Sequence, residues 1–185
     1  MAYQFSGPQF LGVPGINTGG TTPGFTATYT TLPDGASLGM EVAGIDPVTG
    51  YTGRFKLLFG VASTVVGSLV SYDAATGLTT LSPATATATT YGGLPFAVAM
   101  SANVGPTVYG WYQITGPATI KKTAVTVSPG VKIFLSGTAG RIKVLTSAGL
   151  LILGARTANT TTVTSTTSTV LVTIGAGGMV NGGTA

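Results

Sequence analysis

The chain has 185 residues, enough for one β domain with a real core and additional arms. Hydrophobic residues make up 44% and charged residues only 6%, against about 25% charged in an ordinary soluble domain. Thr, Ser and Gly must therefore cover the surface, and a surface so poor in charge tends to associate. The net charge is +4, with no cysteine and no histidine, which excludes disulfides, thiolate nucleophiles, Ser–His pairs and metal sites built on those ligands.

The start, Met1-Ala2-Tyr3-Gln4-Phe5-Ser6, lacks the basic and apolar regions of a signal peptide. No apolar run approaches the roughly 20 residues that span a bilayer. Synthesis in a host cytoplasm, without standard export and without a membrane partner, is expected. Residues 1–52 carry Pro8, Pro14, Pro23, Pro33 and Pro47 among Gly7, Gly12, Gly15, Gly19, Gly20 and Gly24. Proline removes a backbone donor and glycine weakens regular elements, so this stretch reads as an extended N-terminal arm with local turns. It also carries Phe5, Phe10, Leu11, Val13, Ile16, Phe25 and Tyr29, too many apolar side chains for a solvated tail. Those seven are candidate interface residues of a strap laid between subunits.

Residues 53–185 read as a β-barrel-like domain. Over residues 54–61, Phe55, Leu57, Phe59 and Val61 alternate with Arg54, Lys56, Leu58 and Gly60, the period of a strand with one apolar face. A strand over 68–72 leads into Asp73-Ala74-Ala75-Thr76-Gly77 and a return strand over 78–81. The same Asp-x-x-Thr-Gly pattern occurs as Asp46-Pro47-Val48-Thr49-Gly50. Both predict hairpin loops, with Asp bonding the backbone ahead and Gly supplying positive φ. Residues 83–90 form a low-complexity Ala/Thr loop. Strands follow over 95–100 and 108–115, the latter holding Tyr109, Trp111 and Tyr112. This aromatic cluster fits a sugar-stacking platform, an interface anchor or plain core packing. Strands over 124–127 and 131–135 flank the turn Ser128-Pro129-Gly130. Gly137-Thr138-Ala139-Gly140 turns into a strand over 141–145, and a short one follows over 150–153. The Thr-rich segment 157–169 reads as a solvated strand or linker. A last strand spans 170–174, and Gly175-Ala176-Gly177-Gly178 reads as a flexible tail. Short strands between turns, without a helical period, predict an all-β barrel or sandwich.

The acids Asp34, Glu41, Asp46 and Asp73 all precede the basic group Lys121, Lys122, Lys132, Arg141, Lys143 and Arg156. These bases are scattered, without the aromatic interleaving of a nucleic-acid binder, and no nucleic-acid partner is expected. They are either solvated strand faces or the complement of a neighbour's acidic first part. Lys121-Lys122 reads either as a solvated strand end or as a pair that meets an acidic partner. Asp34 and Glu41 are the only candidates for a carboxylate pair, and neither has an evident basic or apolar partner. No catalytic, cofactor-binding or metal-binding residue is assigned.

Seven stretches carry a family resemblance: Gly67-Ser68-Leu69-Val70-Ser71-Tyr72, Pro95-Phe96-Ala97-Val98-Ala99-Met100, Tyr109-Gly110-Trp111-Tyr112-Gln113-Ile114, Gly130-Val131-Lys132-Ile133-Phe134-Leu135, Ala139-Gly140-Arg141-Ile142, Ile152-Leu153-Gly154-Ala155-Arg156 and Val170-Leu171-Val172. In strand and turn order they resemble the small β-barrel capsid decoration, or cement, proteins of tailed bacteriophages. The resemblance covers roughly the last two-thirds of the chain and includes no catalytic motif. It implies a virion protein on the capsid surface that bridges major capsid protein subunits, often as a homotrimer. The long arm departs from the shortest members of that family. It leaves a tail, fibre or major-shell component open, and a carbohydrate-binding β-sandwich using Trp111 is the alternative from another class.

Overall fold

The computed structural model describes residues 4–5, 25–26, 28–32, 36–82, 93–102, 105–144 and 150–182. Thirteen strands run in chain order as β1 (Gln4–Phe5), β2 (Thr28–Tyr29), β3 (Glu41–Ile45), β4 (Thr52–Phe59), β5 (Leu69–Tyr72), β6 (Thr79–Leu81), β7 (Pro95–Ala99), β8 (Tyr109–Lys121), β9 (Lys132–Leu135), β10 (Ile142–Lys143), β11 (Leu151–Thr157), β12 (Thr169–Ile174) and β13 (Met179–Asn181). Among the described residues there is no helix, and the protein is all-β.

The two Asp-x-x-Thr-Gly loops turn by one device. The Asp46 carboxylate accepts from Val48 N at 3.1 Å, and the Asp73 carboxylate accepts from Ala75 N at 2.8 Å. Gly50 N and Gly77 N then donate to the Asp46 and Asp73 carbonyls, both at 2.8 Å, with φ of 72° and 70°, where only glycine is unstrained. These loops join β3 to β4 and β5 to β6 in antiparallel pairs.

Pairings then run β7–β8–β12–β11–β13 and back to β7. Three links of this ring, β7–β8, β11–β13 and β13–β7, consist of two residue pairs each, so the barrel character is partial. β3 and β4 extend the sheet from β8, and β5 and β6 extend it from β7. The largest core cluster includes Phe96, Val98, Ile120, Ile133, Leu135, Ile152, Val172 and Met179. β7 alternates as a strand must, with Phe96 and Val98 in that cluster. Its small Ala97 and Ala99 pack on the other side with Leu58, Val70 and Tyr112. Both faces of β7 are therefore buried. A third cluster joins Phe25, Phe55, Leu57, Met100 and Trp111.

β8 is the longest strand, with 13 residues. It pairs with β4 through Thr115 and with β12 from Gly116 onward. Gly116 has φ 87°, and an added Cβ there would run into the Thr52 carbonyl oxygen. The buried Gln113 side chain spans this bend, donating from Nε2 to the carbonyls of Thr115 at 3.0 Å and Pro117 at 2.8 Å.

Several expectations change. The boundary at residues 52/53 falls inside the β3–β4 hairpin, which is paired over five residues. Phe25 is a core residue, stacked on Phe55 at 3.7 Å between centroids. The prolines and glycines of the arm did not prevent this, because β3 borrows its regularity from β4. Residues 124–127 make only a single bridge, Val127 to Val163. The Thr-rich segment is tied down there and by Asn159, which donates from Nδ2 to Val127 O at 3.2 Å. The glycine-rich end is a tight turn, with Gly178 N bonded to Gly175 O at 2.9 Å. It delivers β13, which links β11 to β7. The 83–90 loop lies outside the described residues.

Phe25→Ala should lower the stability of the full chain by about 3–5 kcal/mol, as for other buried Phe truncations, read from denaturant midpoints. Gly116→Ala should also be strongly destabilising, because it combines positive φ with a backbone clash. Val48→Ser, on the exposed loop, should change stability by less than about 0.5 kcal/mol.

Candidate functional site

The candidate interface residues separate into those inside the fold and those at its surface. Trp111 and Tyr112 lie on successive positions of β8 and so face opposite sides, each into a different core cluster. Phe25 meets Trp111 edge-on, with centroids 5.6 Å apart and planes at 83°. None of the three is open to a sugar or a partner subunit, so of the readings of the aromatic cluster Trp111 and Tyr112 follow core packing. Tyr29 and Tyr109 face each other across β2 and β8 and are half-buried. Tyr109 also packs on Phe59 at 4.9 Å. Phe5 lies in β1, which pairs with β3. Phe10, Leu11, Val13 and Ile16 lie outside the described residues.

Lys121 and Lys122 alternate off the end of β8, which sends one outward and one inward. Lys121 is half-exposed. Lys122 is buried, and its Nζ donates to the carbonyls of Val125 at 2.8 Å, Thr164 at 3.0 Å and Thr123 at 3.4 Å. It fastens the 123–127 and Thr-rich segments to the barrel. Burial holds its amine below the usual lysine range. Its apolar stem and ring of carbonyls make it a structural cross-link, with no opening toward an acidic partner.

Among the described carboxylates, Glu41 is held by Arg54 at 2.7 Å and Lys56 at 3.2 Å. Both partners come from β4, whose Lys56 lies directly opposite Glu41 in the register. Glu41 therefore has the basic partners that the sequence did not reveal. Asp34 lies outside the described residues. Lys56 also sits 5.3 Å from the Tyr72 ring centroid. Burial, and then the Glu41 charge, push the Tyr72 hydroxyl upward. The carboxyls of Asp46 and Asp73 are held below the ordinary range by their turn hydrogen bonds, from Thr49 and Val48 in one and from Ala75 and Thr76 in the other. Among the described residues no three potential metal ligands cluster.

The described residues form at least two concavities. A small one of about 180 Å³ is lined by Glu41, Arg54 and Tyr72 with the Gly177-Gly178 turn, and its charges already satisfy one another. A larger groove of about 490 Å³ runs along β11, with Leu151, Leu153, Lys132 and Arg156 on its walls. It exists because β9 pairs with β11 at Ile152 and again at Arg156 while skipping the three residues between them. No periodicity marks this bulge; Gly154, with φ 80°, is its one sequence trace. No family model, no curated protein and no solved structure matches the chain.

Lys122→Met retains the stem but removes the shared donor; Thr123 O and Thr164 O keep backbone donors, and the loss, chiefly at Val125 O, should cost about 1–3 kcal/mol. The folded chain releases the Lys122 proton at lower pH than the unfolded chain does. Between that folded pKa and the ordinary lysine value of 10.5, the unfolded state binds more protons, so stability rises with pH. Tyr72 acts oppositely at the upper end of this window. Urea midpoints across alkaline pH should therefore show wild type gaining relative to Lys122→Met, and parallel curves would contradict the assignment.

Proposed function

We propose that this chain is a structural virion protein that binds the outside of a phage head and cements neighbouring major capsid protein subunits, working as a homotrimer. The observation that carries the reading is apolar exposure on a domain with very little charge. Ile45, Val48 and Tyr51 surround the β3–β4 loop, and Val48 is 87% exposed. Val66 is 58% exposed, and Val65 and Leu78 are exposed as well. Large side chains left in water on such a surface are contact material for another subunit. Weak contacts of this kind repeated around a symmetric shell add up to firm attachment.

The strand order supports the same reading. The seven stretches that resemble decoration proteins supply β5, β7, β8, β9, β10, β11 and β12. With Trp111 enclosed, the carbohydrate-binding alternative loses the residue it rested on.

Sedimentation of the purified chain should give three times its mass of 18.3 kDa. Added to purified phage heads, it should pellet with them and saturate at a fixed copy number. Val48→Asp with Val66→Asp should reduce that retention while leaving the thermal midpoint within about 2 °C, as exposed substitutions do. A monomer that never pellets with heads would sink the proposal, and labelling confined to the tail would reassign the chain to that structure.

A further inference from the structure

The described carboxylates are all engaged within the chain: Glu41 by Arg54 and Lys56, Asp46 by Thr49 and Val48, Asp73 by Ala75 and Thr76. A second copy therefore presents no free described carboxylate to the basic second part. Among the described residues, a different molecule is therefore the better source of an acidic complement. Within the basic set, Lys122 is spent on internal carbonyls and Arg141 donates to Lys122 O at 3.3 Å. Lys132 and Arg156 are less committed: Arg156 makes one long bond, from Nη1 to the Gly130 carbonyl at 3.4 Å, and its guanidinium keeps further donors. They are exposed, they stand directly opposite each other across β9 and β11, and both line the 490 Å³ groove. Like charges directly opposite on paired strands repel. The described residues lining the groove include no acid, so beyond solvent screening the repulsion is relieved by an incoming anion.

The rest of the groove states what else that anion must carry. Leu151, Ile152, Leu153 and Ala155 make the groove largely aliphatic, and Leu153 is 47% exposed. The lining from residue 151 to 156 is about 20 Å of strand at roughly 3.3 Å per residue, the length of an extended segment of five or six residues. The groove is also preformed. Gly154 sits so close to the 175–178 turn that an added Cβ would meet the Gly178 carbonyl oxygen, and Gly175 N bonds to Gly154 O at 2.7 Å. A rigid groove spares a ligand part of the ordering cost of binding.

We propose that the β9–β11 groove binds an extended acidic segment of a different protein. Its carboxylates meet Lys132 and Arg156, and its large apolar side chains lie against Leu151 and Leu153. Arginine offers a planar fork to a carboxylate and lysine a point charge, so two acidic side chains near one end of the segment suit the pair. Among the described lining residues no aromatic side chain is placed to stack a base, which favours a peptide over a nucleic acid.

The test uses the full-length chain and fluorescent hexapeptides. One carries two Glu near one end and Leu at the remaining positions, one replaces each Glu by Gln, and one replaces each Glu by Lys; a labelled single-stranded oligonucleotide is the fourth probe. Anisotropy should show the Glu peptide binding and weakening as salt rises. The Gln peptide should bind about tenfold more weakly or worse, the equivalent of about 1.4 kcal/mol, and the Lys peptide should not bind. Lys132→Gln with Arg156→Gln should erase the preference for Glu over Gln, and Leu153→Ser should weaken both peptides, with thermal midpoints unchanged in each variant. Equal binding of the Glu and Gln peptides, an unchanged preference in the double variant, tighter binding of the oligonucleotide, or no binding at millimolar peptide would each overturn the proposal. No phage head enters this experiment, so its failure leaves the assembly reading standing, and loss of head binding leaves the groove standing.

Discussion

The bend in β8 at Gly116 is the constraint on which the rest of the architecture depends. Before it, β8 is bonded to β4, and after it to β12. One strand thus belongs both to the outer β3–β4 wing and to the ring. A continuous regular strand would keep one twist along its length and serve one sheet. The combination of positive φ, a proline without a donor and a glutamine bonded to carbonyls on both sides of the glycine lets the direction change without orphaning backbone groups. A buried, unbonded carbonyl would cost about 1–3 kcal/mol, so Gln113 is as much part of the bend as Gly116.

The bend also explains the aromatic residues. With β7 beside β8 at residues 112–113 and β4 along residues 109–115, both edges of this part of β8 are paired, and its two faces are buried in different clusters. Trp111 then fills one cluster and Tyr112 another. What reaches the surface is left to turns and edges: Val48 and Tyr51 at one hairpin, Val66 before β5, Leu153 on the β11 bulge. A chain with 6% charged residues exposes apolar atoms at these places because it has few charged side chains to put there. The same scarcity makes the few charges informative. Glu41, Arg54 and Lys56 neutralise one another on one hairpin, while Lys132 and Arg156 meet with no described acid in their groove.

The β11 bulge and the ring closure are coupled. Skipping β9 at residues 153–155 brings Gly154 against the 175–178 turn, and that turn delivers Met179 opposite Phe96 and Asn181 opposite Ile152. The groove is the outer side of the irregularity that lets β13 close the ring. A substitution at Gly154 would accordingly disturb both the groove and the closure.

The sequence by itself determined the class of the fold and most of its turns. Asp46 with Gly50 and Asp73 with Gly77 act through bonds within five residues, and the alternation of Phe55 and Leu57 with Arg54 and Lys56 reports a half-buried strand directly. The absence of histidine and cysteine is likewise a property of the chain alone. Only the tertiary structure decided which strand pairs with which. It placed Phe25 under Trp111, turned Lys122 into an internal cross-link, supplied Glu41 with two cations and made a closing strand of a glycine-rich end. The physical reason is range. A turn is encoded by neighbours that bond to one another, whereas a strand of three residues such as β13 has almost no local preference and exists because β7 and β11 offer it both edges. Burial on two faces erases alternation, so Trp111 and Tyr112 looked the same in sequence whether they were anchors for a partner or parts of a core.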